Sequence, residues 1–184
     1  MSDVVVVDYG AGNTRSVGAA LAHLGHRSTV SADPALLRDA PYVILPGVGS
    51  ARSAMEHLHA TGAADALRAR VDAGGALLGI CLGLQLALEE SEEDGGVAGL
   101  GLVAGRVRRL RDGRVPRLGW ATVDPGDEVY YFAHSYVAYT DDAVATSEGL
   151  TAIVQSGSFV GVQFHPEKSG AAGLRFLDQC LSRV

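Results

Sequence analysis

The chain has little sulfur, few aromatics and no long apolar run. Two cysteines in 184 residues, with no basic segment ahead of the four valines of "MSDVVVVDYG", leave no basis for a disulfide framework or a secretory signal. Reduced thiols and a cytoplasmic location are expected instead. The greasiest stretch, "ALLGICLGLQLAL" (76–88), falls short of the ~20 residues of a membrane span and contains Gln85. Basic charge is also scarce: 15 Lys and Arg stand against 21 Asp and Glu, a net charge of −6 that argues against a nucleic-acid surface. The one basic segment, "RVRRLRDGR" (106–114), alternates arginine with valine and leucine and reads as a half-exposed strand.

What is present is a globular composition, 47% hydrophobic and 20% charged, at a length that suits one well-buried core. The first half alternates strand and helix. "DVVVVDY" (3–9) has the continuous β-branched character of a strand buried on both faces. A helix over 14–25 closing on Gly25, short strands at "RSTVS" and "YVILPG" (42–47), and a helical stretch over 51–75 broken at Gly62 follow. "ALLGI" is the next strand and 82–90 the next helix. The second half carries strand-like runs joined by Gly, Asp and Pro turns, with a hairpin turn at "QSGSF" (155–159) and a closing helix over 169–182. The predicted fold is α/β, with a mostly parallel central sheet flanked by helices and added antiparallel strands in the second half. One domain over 1–184 is expected.

"GICLG" (79–83) places a cysteine between glycines where a buried strand turns into a helix. This is the form of a nucleophile elbow with cysteine in place of serine: a sharp turn lifts the side chain above the strand ends, and the glycines relieve crowding. The following helix points its positive dipole end at Cys81, favouring thiolate, and the Leu82 N–H faces an oxyanion position. Inert glycine packing around a buried thiol is the alternative. Cys180, in the last helix, reads as packing. "GVQFHPEKS" (161–169) offers a base: His165 ends an alternating strand, and Glu167, two residues on, falls on the same face of an extended chain and orients the imidazole. "LPGVG" (45–49) ends another central strand and can supply further oxyanion N–H groups, or be a plain connection. Gln85 returns to the site one helical turn after Cys81. Glu93 holds an ammonium group or is a solvated acidic residue, and His134 and Ser135 bind a carboxylate or cap a strand.

At "GICLGLQL" and "GVQFHPEKS" the sequence resembles the class I (triad) glutamine amidotransferases, whose fold is flavodoxin-like. With "YGAGNTRSV" (9–17), "LPGVG", "VPRLGW" (115–120), "YFAHSY" (131–136) and "EKSG", it is similar to the glutaminase subunits of imidazole glycerol phosphate synthase, over nearly the whole chain. The resemblance implies Cys81, His165 and Glu167 as catalytic residues and Leu82, Val48 and Gly49 as oxyanion donors. It implies Gly47, Gln85, Glu93, His134, Ser135 and Tyr136 as glutamine-binding positions, with no cofactor and no metal. It further implies a heterodimer with a (β/α)8-barrel cyclase subunit that receives the ammonia, with Asn13, Trp120 and Lys168 at or near that interface and no nucleic-acid or membrane partner. Trp120 as a plain core residue is the alternative. The same resemblance implies a subunit nearly silent alone, switched on when a backbone N–H near Val48 rotates towards the substrate.

Three residues depart from the family pattern: Arg117 where histidine is common, Ala121 in place of asparagine, and Ala51 where an aromatic is common. They put details of docking and switching in question. Rival readings are a glutaminase subunit of another synthase, a free-standing cysteine amidohydrolase, and a non-catalytic relative.

Overall fold

Four consecutive valines have no polar face to offer, and the fold gives them none. In the computed structural model, which describes residues 3–10 and 13–182, β1 (Asp3–Val7) lies between parallel neighbours β2 (Arg27–Ser31) and β3 (Tyr42–Leu45). Val5 and Val7 enter one core cluster and Val4 and Val6 the other. Ala11 and Gly12 of the first glycine-rich motif lie outside the described residues. β3 pairs in parallel with β4 (Leu77–Ile80), and β4 with β13 (Phe159–Val162). Antiparallel β12 (Leu150–Ser156) and β11 (Ala143–Ser147) complete the seven-stranded order β11-β12-β13-β4-β3-β1-β2. The expected α/β sheet, parallel with antiparallel additions from the second half, is therefore present.

Helices α3 (Ala51–Ala60), α4 (Ala63–Asp72) and α5 (Leu82–Ala87) pack into the cluster on one face. On the other lie α1 (Thr14–His23) and α6 (Gly170–Leu181), joined by residues of a two-stranded ribbon, β8 (Arg117–Thr122) and β9 (Val129–His134). Gly62, at φ +75°, separates α3 from α4 at the expected break. A second sheet has the order β10-β7-β5-β6, formed by β10 (Tyr136–Tyr139), β7 (Val103–Arg109), β5 (Leu88–Ser91) and β6 (Val97–Ala98).

The structure corrects two local expectations and adds two elements. The helix after Cys81 ends at Ala87, because Leu88–Ser91 is captured as β5 by pairing with β7 and β6, and tertiary pairing outweighs a helical pattern. The run "YYFAHSYVAYT" divides at Ser135, β9 going to the ribbon and β10 to the second sheet. "VPRLGW" contributes a strand, β8. A short helix, α2 (Pro34–Asp39), lies between β2 and β3, capped by the Asp33 carboxylate on the Ala35 N–H with Pro34 in its first turn. "RVRRLR" is the half-exposed strand anticipated, β7.

Three glycines let backbones approach at the carboxyl ends of β3 and β4. A Cβ at Gly47 would stand 1.8 Å from the Ile80 carbonyl oxygen, and one at Gly83 would stand 2.0 Å from that of Leu45. One at Gly79 would meet the Gly83 backbone at 2.8 Å. These contacts press the 46–49 turn and the first turn of α5 against each other. Gly83→Ala, despite alanine's better helix propensity, is expected to lower stability by about 1–3 kcal/mol through overpacking. The midpoint of urea unfolding measures this directly.

Candidate active site

Cys81 joins β4 to α5 at φ +50°, ψ −103°, a region that non-glycine residues rarely occupy. Its N–H donates to the Val162 carbonyl at 2.7 Å, extending the parallel ladder one residue past β4 and fixing where the sulfur emerges. The Leu82 N–H, in the first turn of α5, has no partner within the helix.

His165 arrives from the neighbouring strand. Val162 is in register with Ile80, so the residues just beyond β13 stand beside Cys81. His165 is buried and lines the same cavity as Cys81, close enough for the Cys81 side chain to raise its pKa. Its Nδ1 donates to Glu167 Oε1 at 2.9 Å. The pairing is as expected, but its geometric cause differs: Pro166–Lys168 form a 3-10 turn, and the tight turn returns Glu167 under the ring, not an extended i, i+2 relation. Asn13, expected near a partner surface, precedes α1 without capping it and donates its Nδ2 to the same Glu167 oxygen at 2.8 Å.

Burial by itself would push the His165 pKa down. Hydrogen bonds to Cys81 and Glu167, with the negative charges of both, overcome this and lift it to about 9. Burial likewise opposes the Glu167 carboxylate, yet the His165 bond and charge and the Asn13 bond hold its pKa below the ordinary value. The set therefore favours imidazolium beside the Glu167 carboxylate at neutral pH.

Cys81 and His165 open on a cavity of about 310 Å³, the size of a small-metabolite site. Gly47, Val48, Gly49, Leu82, Gln85, Glu93, His134, Ser135, Tyr136 and Lys168 also line it, while Glu167 and Asn13 stand behind His165 and Trp120 lies outside. A larger cavity of about 680 Å³ is walled mainly by the arginines of 108–117 and holds no nucleophile.

The lining groups differ in what they offer. Gln85 Nε2 donates to the Tyr136 carbonyl at 2.9 Å and to Gln163 Oε1 at 3.2 Å, so its own oxygen is left for a ligand. Burial raises the Glu93 pKa, which the Ala51 N–H on its Oε2 partly offsets; Ala51 thus serves through its backbone. His134 is pushed down to about 4, first by burial, with the charges of Arg117 and His165 adding to the effect against its bond to Tyr136. Its Nδ1 donates to the Tyr136 carbonyl at 2.9 Å, which leaves a neutral ring with Nε2 buried and unpartnered. Such a nitrogen accepts hydrogen bonds. In this neutral tautomer Nε2 carries no N–H to offer a carboxylate. Arg117 sits 4.2 Å over the Phe132 ring and pairs with Glu148, so this departure acts on His134 from behind.

The sequence reading missed two residues here. Gln163 is fully buried and donates from Nε2 to the Cys81 sulfur at 3.5 Å. Tyr9, also buried, accepts the Val48 N–H on its hydroxyl at 3.2 Å, and that hydroxyl lies 2.9 Å from the Pro46 carbonyl and 3.1 Å from that of Val48. The Val48 N–H, expected to serve an oxyanion, is thus committed to Tyr9. Both residues were quoted within motifs, yet only the pairing of distant strands brings them to the site. On β8, Leu118, which lines the cavity, is 57% exposed and Trp120 is 59% exposed, so the core reading of Trp120 is excluded.

A model of the family "Glutamine amidotransferase class-I" matches residues 5–183, and the chain belongs to that class. Its likeness to solved structures is close in shape and distant in sequence. A crystal structure of a glutamine amidotransferase superposes with TM-score 0.83 at 24% identity, covering 98% of this chain and 99% of that one. PurLQS from Thermotoga maritima gives 0.75 at 21%, covering 100% and 99%. In sequence, the imidazole glycerol phosphate synthase subunit HisH of Chlorobium luteolum is 44% identical, across 95% of this chain and 96% of its own length. That of Methanopyrus kandleri is 44% identical across 97% of each. The protein is a glutamine amidotransferase of the kind that forms the glutaminase subunit of imidazole glycerol phosphate synthase.

The charge arrangement predicts a pH dependence of stability. A histidine whose folded pKa is raised to about 9 contributes stability in full below its unfolded value near 6.5 and loses it as pH rises through 9. Thermal midpoints should therefore decline between pH 6.5 and 9.5. In Glu167→Gln that decline should be shallower, because one of the two groups sustaining the imidazolium is gone.

Proposed function

We propose that this chain hydrolyses L-glutamine through a Cys81 thioester and delivers the ammonia to a separate cyclase subunit. The contact line Cys81–His165–Glu167, opening on a cavity of amino-acid size in a class-I amidotransferase, carries the proposal. The Cys81 sulfur attacks the side-chain carbonyl carbon, and the carbonyl oxygen takes the charge, facing the Leu82 N–H. As the C–N bond breaks, the His165 imidazolium gives its proton to the departing ammonia. His165, now neutral, takes a proton from water, which attacks the thioester; glutamate leaves and the sulfur departs as thiolate. Glu167, steadied by Asn13, keeps the ring oriented throughout.

Within the cavity, the Gln85 oxygen, Glu93 and His134 Nε2 are acceptors suited to the amine and amide hydrogens of glutamine, and Ser135 is a donor for its carboxylate. Gly47, Gly49 and Tyr136 shape the walls. The chain acts as one amidotransferase domain in the cytoplasm. Among the described residues no helix is long and apolar enough to cross a membrane.

The partner is a (β/α)8-barrel cyclase in a heterodimer. Trp120, Leu118 and Lys168, exposed around the mouth, are suited to receive it; buried aromatics anchor such interfaces. The relatives' printed names, subunits of a synthase, favour this over a free-standing amidohydrolase. Binding of the liganded cyclase turns the Val48 N–H from Tyr9 towards the oxyanion. One missing oxyanion donor costs roughly 10²–10³ in rate, enough to keep the lone chain quiet.

Glutamate release from glutamine, by the chain alone, with the cyclase, and with cyclase plus its nucleotide substrate, tests the proposal. Near-silence alone and a large rise in the full mixture are expected, with Cys81→Ala inactive in every arm; brisk turnover alone, unchanged by the cyclase, would discard the partner. Tyr9→Phe should raise glutamate release by the lone chain about three- to tenfold, since one net hydrogen bond holding Val48 is lost.

A further inference from the structure

We infer that Gln163 is a further catalytic residue: its side-chain amide donates to the Cys81 sulfur and holds it as the thiolate from the side opposite the substrate. The inference rests on the reading of Cys81 as nucleophile. Three observations carry it, beginning with placement. β13 runs parallel to β4 with Val162 in register with Ile80, so Gln163 and Cys81 are the next residue of each strand, side by side at the carboxyl ends. Gln163 is the first residue beyond β13 and His165 follows two residues on, and the Gln163 amide meets the sulfur.

The second is orientation. Gln163 Oε1 accepts from Gln85 Nε2, and Gln85 Nε2 is itself anchored on the Tyr136 carbonyl. An amide whose oxygen is already taken by a donor must present its NH2 end elsewhere, and that end meets Cys81 Sγ at 3.5 Å. The third is exclusion from the ligand. Gln163 is 0% exposed and does not line the 310 Å³ cavity, so it can touch the reacting sulfur but not glutamine. A neutral donor complements His165 here. His165 gives up and regains a proton within each cycle, whereas the Gln163 N–H faces the sulfur unchanged, both before attack and when the thiolate departs.

The test is alkylation by iodoacetamide as a function of pH, read at Cys81 and Cys180 separately by mass spectrometry of the full-length chain. It requires neither glutamine nor partner. In the unsubstituted protein Cys81 should react well ahead of Cys180 at pH 7; if it does not, the nucleophile reading itself fails. Gln163→Met removes the donor while preserving bulk and should slow Cys81 alkylation at pH 7 about ten- to a hundredfold, as expected for a bond to a charged group. The rate should recover as pH rises, because thiolate formation, not access, has been impaired. Gln163→Glu, isosteric and acceptor-only when ionised, should shift the profile further the same way and serves if the methionine variant fails to fold. In the partner-activated glutaminase, kcat should fall while KM for glutamine stays within about twofold. A reactive Cys81 whose pH profile is unchanged in either folded variant would overturn the role of Gln163 and leave that of Cys81 intact.

Discussion

The site depends on one strained residue. Cys81 can hold a positive φ only because its surroundings give it no alternative: its N–H is tied to Val162, and glycines at 47, 79 and 83 allow two turns to close on it from below. Any side chain at 47 or 83 would occupy backbone already present, so the elbow and the 46–49 turn are a single packed object. This fixes the distance between nucleophile and oxyanion turn without a covalent tie. It also explains why β3, β4 and β13 must be adjacent and parallel: only then do three carboxyl ends converge on one point.

Around that point the protons are arranged by burial and pairing. Cys81, His165 and Glu167 would be costly to bury singly, but the imidazolium and the Glu167 carboxylate sustain each other. His134, a few residues along the same cavity, shows the opposite outcome of the same physics. It has no acidic partner, faces two cations and stays neutral. One histidine is thus available to carry a proton and the other to accept a hydrogen bond, although both began as strand-end histidines in sequence.

Most of the fold was legible because β-branched runs and glycine punctuation report local structure directly. β1 and the breaks at Gly25 and Gly62 follow from such signals. Asp33–Pro34 was a readable start signal for α2 that went unused. The loss of 88–90 from helix to strand was not readable, since its cause is a pairing with β7 fifteen residues away. Within the site, Cys81, His165 and Glu167 stood out by residue type and spacing. Gln163, Tyr9 and the inward turn of Asn13 did not, because a glutamine in a strand or a tyrosine after one is chemically silent until register decides what it faces.

Register also divides the site into two parts of unequal rigidity. On the nucleophile side, Cys81, Gln163 and Gln85 form one hydrogen-bonded chain anchored on the carbonyl of Tyr136, and His165, Glu167 and Asn13 form another beside it. Moving Glu167, Gln85 or Gln163 would break two bonds at once. On the oxyanion side, the Val48 N–H has Tyr9, a hydroxyl with one hydrogen to share between two carbonyls. Rotating the Gly47–Val48 peptide removes the N–H that this hydroxyl accepts and supplies it with a third carbonyl it cannot also satisfy, so the unrotated state is preferred by about one net hydrogen bond. That is a small difference, within reach of a partner that binds the two states unequally. On the proposed reading, the chain therefore keeps its nucleophile permanently assembled and leaves only one peptide to be set by the partner. A switch built the other way, by disordering the nucleophile network, would have to be reassembled in every cycle.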